Sequence, residues 1–89
     1  MARFEIASPD MAVMAGRAFT AEMFYDLGIQ CAAGRSGAVD LVGAHKFFNI
    51  AAARGAPDAM RMRGEIAAEM TTAAIAEAQR AARAFLAAN

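Results

Sequence analysis

The chain has 89 residues, of which 58% are hydrophobic, 20% are charged and 26 are alanine. Nine Lys and Arg residues balance nine Asp and Glu residues, which excludes an overall basic field that would attract nucleic acid or an anionic membrane. This length allows one small domain, and the alanine content favours closely packed helices.

The cysteine content and the N-terminal residues bear on location. The single cysteine, Cys31, cannot form a disulfide within the chain and is typical of a reducing compartment. The first ten residues, MARFEIASPD, lack the apolar segment of a signal peptide, and no stretch is long and apolar enough to span a bilayer. We expect a cytoplasmic protein with an N-terminal arm at residues 1–8 and a single helical-repeat domain at residues 9–89.

The first predicted helix begins near Pro9 and ends at Ala33. A break or kink is expected between Gly16 and Thr20, because Thr20 is a residue type that caps helices and would begin a shorter second segment. The stretch that follows, residues 34–39, has the composition of a turn. The apolar stripe of this helix comprises Met23, Phe24, Leu27, Gly28 and Cys31.

Three further helices are predicted along the rest of the chain. Asp40 is placed to cap the second, which covers residues 41–54 and stops at a glycine. Pro57 opens the third, and Thr71 or Thr72 caps the fourth. The predicted core comprises Leu27, Cys31, Ala44, Phe47, Ala51, Ala52, Met62, Ile66 and Ile75.

Two glycines lie inside these predicted helices. Gly28 and Gly64 occupy positions where glycine costs about 1 kcal/mol relative to alanine, so we expect both to permit close helix approach. They are 36 positions apart, a spacing typical of repeats built from helical pairs. Short turns between the helices predict an all-α fold of antiparallel helical hairpins. From the apolar register that the four segments share, we expect these hairpins to form a right-handed array, an α/α superhelix.

A fixed frame of small and apolar residues runs through residues 21–70. It comprises Leu27, Gly28, Gly34, Asp40, Ala44, Phe47, Phe48, Ala51, Ala52, Gly55, Ala59 and Gly64. In this frame the chain resembles the Sel-one-like repeat, a relative of the tetratricopeptide repeat. It departs from the family at Cys31, where the family has tyrosine, at Ser36 and Gly37, and at Arg63, where the second repeat has leucine. The resemblance implies a noncatalytic scaffold or adaptor that binds a protein on the inner face of a superhelix.

The inner face implied by the resemblance lies on the first helix of each pair. The expected partner-binding residues are Tyr25, Asp26, Ile29, Gln30, Arg61 and Glu65. A small regulatory subunit of a larger enzyme complex is an alternative. A weaker alternative is a nucleic-acid binder that uses the arginines of the last two helices, although nearby glutamates favour intrahelical pairing.

Candidate catalytic or metal-binding residues are few. His45 and Cys31 lack companions at metal-ligand spacing, so we expect Cys31 in the core and His45 on a solvated helix face, with no cofactor, no metal and no enzymatic activity. Phe47 is a better core candidate than Phe48 because it lies in the apolar stripe.

We also expect a homodimer through the first helix unless residues 9–20 cap the array internally. The reason is that these residues have an apolar face, which comprises Met11, Met14, Ala15, Ala18 and Phe19.

Overall fold

The computed structural model describes residues 19–35 and 37–88, and over these residues the chain is helical without strands. The helices are α1 (Ala21–Ala33), α2 (Leu41–Ala53), α3 (Ala59–Ala67) and α4 (Thr72–Ala88). The all-α prediction is confirmed. The expected arm at residues 1–8 and residues 9–18 of the first predicted helix lie outside the described residues.

Side-chain caps begin three of the helices. Thr20, Asp40 and Thr71 each accept a hydrogen bond from the backbone N–H three residues later, at 3.2, 2.9 and 3.1 Å respectively. Each cap satisfies a backbone donor that the first turn of a helix leaves without a partner. The predicted caps of α1, α2 and α4 are therefore confirmed, and α1 begins at the position where a break was expected.

Glycines end the first two helices. Gly34 follows α1 with a φ of 71°, in the left-handed region, and Gly55 follows α2 with a φ of 100°. Backbone of this kind strains any residue that has a β carbon. The turn after α2 then contains Pro57 and Asp58, and α3 begins at the next residue, Ala59.

Helix α2 is the centre of the fold, because α1, α3 and α4 all pack against it. The first two helices form the expected close pair. Helices α3 and α4 instead pack on α2 more than on each other, so they do not form a second close hairpin like the first. Part of the reason is that α3 is only nine residues long and directs its buried residues, Ala59 and Ile66, into the two clusters centred on α2.

The core has two clusters of buried side chains. The large cluster comprises Phe24, Ile50, Ala51, Ala56, Ala59 and Ala82. The small cluster comprises Ala44, Phe48 and Ile66. Tyr25 is half-buried and packs against both clusters, so its side chain joins the two halves of the core.

The predicted core is confirmed in outline, with corrections. Ala44, Ala51 and Ile66 are buried. The other six predicted residues are half-buried: Leu27, Cys31, Phe47, Ala52, Met62 and Ile75. The prediction that Phe47 is a better core candidate than Phe48 was wrong, since Phe48 is fully buried. Phe47 is only half-buried and lies at the edge of the core, where the Lys46 ammonium is 4.6 Å from its ring centroid. Met23, expected in the stripe of α1, is 45% exposed.

The two helical glycines have different surroundings. A β carbon built on Gly28 would lie 2.6 Å from Cε1 of Phe48 and 2.9 Å from its Cζ, which confirms the close helix approach expected there. A β carbon on Gly64 would meet nothing within 4 Å. The expectation for Gly64 was therefore wrong, because this face of α3 is exposed and approaches no other helix.

Candidate partner-binding groove

An open groove of about 420 Å³ lies between the start of α1 and the turn that joins α2 to α3. Its lining residues are Glu22, Tyr25, Ala56, Pro57 and Asp58. The Thr20 cap fixes where α1 begins and so places Glu22 in the first turn and Tyr25 one turn further along. The groove thus has an apolar floor with a carboxylate on each of the two elements that form it.

Tyr25 is held firmly in this groove. Its ring centroid lies 5.5 Å from that of Phe48, with the two ring planes tilted by 59°, a geometry that aromatic pairs favour. Because Phe48 also fills the space beside Gly28, the close approach of α1 and α2 determines where the tyrosine ring lies. The floor of the groove is therefore an extension of the core.

The other wall is formed by the turn before α3. Ala56 is buried, and its backbone N–H donates a 2.9 Å hydrogen bond to the carbonyl of Ala51. Pro57 follows with a restricted backbone, and Asp58 then presents its carboxylate at the surface. This turn is consequently tied to α2 on the same side as the tyrosine.

Arg61 links Asp58 to α3. The guanidinium donates to the Asp58 carboxylate at 3.0 Å and to the Glu65 carboxylate at 2.8 Å, and these two acceptors, Asp58 first, raise the pKa of Arg61. The expected intrahelical pairing is confirmed for Arg61 and Glu65. All three side chains are exposed, so they form a charged rim beside the groove.

The structure does not bring the six predicted partner-binding residues together in one site. Tyr25 lines the groove. Asp26 and Gln30 are exposed on α1, and Ile29 is half-buried against the small cluster. Arg61 and Glu65 are exposed on α3, where Arg61 contacts Glu65 and also Asp58, a residue that lines the groove.

Four groove residues were missed from the sequence: Glu22, Ala56, Pro57 and Asp58. A signal for two of them was present, because proline followed by aspartate at the start of a helix marks an exposed turn whose aspartate is set before the first helical residue. Glu22 and Ala56 gave no comparable signal. Their role depends on how α1 packs against the α2–α3 turn.

His45 does not lie on a solvated face, as was expected, but is 2% exposed on α2. Among the described residues its Nδ1 atom has no hydrogen-bond partner. Burial and then the charge of Arg63 lower the pKa of His45, and Arg63 itself donates a 3.0 Å hydrogen bond to Oδ1 of Asn49. The side of α2 that was expected to be solvated is therefore partly covered by α3.

Over residues 19–35 and 37–88, no group of three or more His, Cys, Asp or Glu side chains is placed to hold a metal ion. No helix in the described part of the chain is both long enough and apolar enough to cross a membrane. Comparison of the chain with protein-family models, curated proteins and solved structures gave no match. The likeness to the Sel-one-like repeat therefore stays a prediction.

Proposed function

We propose that the chain is a noncatalytic protein-interaction module, a small cytoplasmic adaptor or scaffold, that binds a peptide segment of a partner protein in the groove at Tyr25. The groove is the observation that supports this function. Its volume of about 420 Å³ lies within the usual range of binding pockets, and a mostly apolar floor with a few polar groups is typical of such sites.

The position of the groove agrees with what the repeat resemblance implies. In a paired-helix repeat the first helices of successive pairs line the inner face. In this chain α1 and α3 would be those helices, and the groove lies between the start of α1 and the turn that precedes α3. A regulatory subunit would use the same groove and would differ only in the identity of its partner.

The contacts of the α3 arginines argue against the nucleic-acid alternative. Arg61 already bonds two carboxylates, and Arg63 bonds Asn49. On α3 a phosphate would have to displace these partners. Arg80 and Arg83 are exposed on α4, but the balanced charge of the chain supplies no attraction of nucleic acid at a distance. We therefore retain a protein or peptide as the partner class.

Site-specific photo-crosslinking tests this function. A photoreactive phenylalanine analogue replaces Pro57, which lines the groove and is exposed, and in a control chain it replaces Glu77, which is exposed on α4. Irradiation in the native cell should give a discrete crosslinked partner at position 57 that is absent at position 77. The same products at both positions, or none at position 57, would contradict a groove-bound partner.

A further inference from the structure

We infer that the groove recognises a basic side chain, so that a lysine or arginine of the partner peptide lies against Tyr25 between the carboxylates of Glu22 and Asp58. This inference rests on the proposed function, because it names the chemistry of the partner that the groove would bind. The observation behind it is that the two carboxylates lining the groove belong to different elements: Glu22 lies on α1, and Asp58 lies in the α2–α3 turn.

The lining matches both parts of a long basic side chain. Ala56, Pro57 and the ring of Tyr25 offer apolar surface to the methylene stem, which lysine and arginine bury while their charged ends stay near water. The aromatic ring also attracts a cation placed over its face. The carboxylate of Glu22 then supplies opposite charge on one side of that cation, and the carboxylate of Asp58, which the cation would share with Arg61, supplies it on the other.

The surroundings of the groove are acidic. Asp58, Arg61 and Glu65 together hold two negative charges and one positive charge. Glu22 adds another negative charge, and Asp26 lies one turn beyond it on the exposed side of α1. The rim therefore has a net negative charge that complements a cation and repels an acidic peptide.

The basic side chains of the neighbouring helix are engaged elsewhere. Lys46 places its ammonium 4.6 Å from the centroid of the Phe47 ring. Arg54 lies 5.5 Å from the centroid of the Phe24 ring. Neither Lys46 of α2 nor Arg54, which follows α2, lines the groove, so the carboxylate of Glu22 faces a groove whose lining contains no basic side chain.

Selection of peptides on the full-length chain tests this inference. A phage-displayed library of random peptides is selected for binding, and the enriched peptides are synthesised in matched pairs with each arginine replaced by citrulline, or each lysine by acetyl-lysine. Enriched peptides should contain a basic residue. Removing its charge should weaken binding about fivefold or more, the range expected for an ion pair with an aromatic contact.

Variants of the chain locate the cation. Glu22→Gln should weaken binding of the charged peptide about fivefold, and Asp58→Asn should weaken it less, because Arg61 already contacts the Asp58 carboxylate. Binding of the neutral peptide should stay nearly unchanged in both variants, and Glu77→Gln on α4 should alter the binding of neither peptide. All three residues are exposed, and the exposed ion pair that Asp58→Asn removes contributes little to stability, so the variants should keep nearly the melting temperature of the parent chain. Tyr25→Phe keeps the ring and should retain most of the affinity.

Several outcomes would overturn the inference. Enriched peptides that lack a basic residue, and whose binding is lost in a folded Tyr25→Ala variant, would leave the proposed function standing and refute recognition of a cation. No enriched peptide at all would count against both. Tighter peptide binding by a Met11→Asp, Met14→Asp variant would identify the N-terminal segment as the native occupant, and a dimer lost on Glu22→Gln would identify a second copy.

Discussion

Gly28 of α1 and Phe48 of α2 are in direct contact, because a β carbon at position 28 would fall 2.6 Å from the edge of the phenylalanine ring. Phe48 is fully buried and its ring also packs on Tyr25, so it has little room to move aside. The absence of one side chain at Gly28 therefore sets the spacing of two helices and the position of the tyrosine in the groove.

Substitution of Gly28 should destabilise the fold, while a substitution at Gly64 should not. We expect Gly28→Leu to lower the free energy of unfolding by about 1–3 kcal/mol or more through overpacking. Gly64→Ala is the control, since a β carbon at position 64 would meet nothing within 4 Å and alanine gains up to about 1 kcal/mol over glycine in a helix. Urea unfolding of both variants measures the difference, and equal stabilities would refute the contact.

A second pair of residues is coupled at the start of α2. The Gly43 backbone N–H donates a 2.9 Å hydrogen bond to Oδ1 of Asp40. A β carbon on Gly43 would lie 2.9 Å from Cγ of that same aspartate and 3.1 Å from Sγ of Cys31. The glycine thus lets the capping carboxylate reach the backbone beneath it.

This geometry predicts non-additive substitutions. Asp40→Ala should lower the free energy of unfolding by about 1 kcal/mol through loss of the cap. Gly43→Ala should destabilise the parent chain by crowding the carboxylate, and it should cost less in the Asp40→Ala background. A double-mutant cycle by urea unfolding measures the coupling. Strict additivity would show that the carboxylate is not what restricts position 43.

Local signals in the sequence predicted the helices well. Thr20, Asp40 and Thr71 are capping residue types, and their side-chain oxygens accept the expected bonds. Gly34 and Gly55 likewise end helices where backbone with positive φ is needed. These features depend on a few neighbouring residues, which is why the sequence alone was enough to find them.

Features that depend on how helices meet were predicted less well. The sequence placed His45 on a solvated face because its helical neighbours include Lys46 and Asn49, yet α3 covers that side through Arg63. Gly28 and Gly64 looked equivalent at a spacing of 36 residues, and only Gly28 faces another helix. The groove also combines residues from α1 and a distant turn, which no local pattern could reveal.

The buried histidine predicts an acid-sensitive fold. Burial and then Arg63 lower the pKa of His45 in the folded chain, whereas in the unfolded chain it should be near the ordinary value of about 6.5. Below that value the unfolded state binds the proton more readily. The stability linked to His45 is therefore fully present above about pH 6.5 and is lost as the pH falls through and below it.

Urea unfolding between about pH 7.5 and about pH 5.5 measures this loss, in a range above the titration of ordinary carboxylates. We expect the His45→Leu variant to lose less stability over the range than the parent chain. Arg63→Gln should also flatten the dependence, since it removes the second cause of the lowered pKa. Parallel curves for the parent chain and His45→Leu would show that His45 does not control the response.

The last prediction is that the chain forms a homodimer through the first predicted helix, over residues 9–20. Helical repeats bury their core by stacking on neighbours, and about three are usually needed for stability, whereas the sequence resembles roughly one and a half. Within the described residues, Phe19 packs on Phe24 at a ring-centroid distance of 5.0 Å, beside the large cluster.

Sedimentation equilibrium over about a hundredfold range of concentration tests the dimer, together with the melting temperature at each concentration. The parent chain should shift from monomer to dimer, and its melting temperature should rise with concentration because association stabilises the folded state. Met11→Asp combined with Met14→Asp should weaken the dimer by placing charges in its apolar face, while Glu77→Gln on α4 should not. A monomer throughout, with a constant melting temperature, would mean that residues 9–20 cap the array internally.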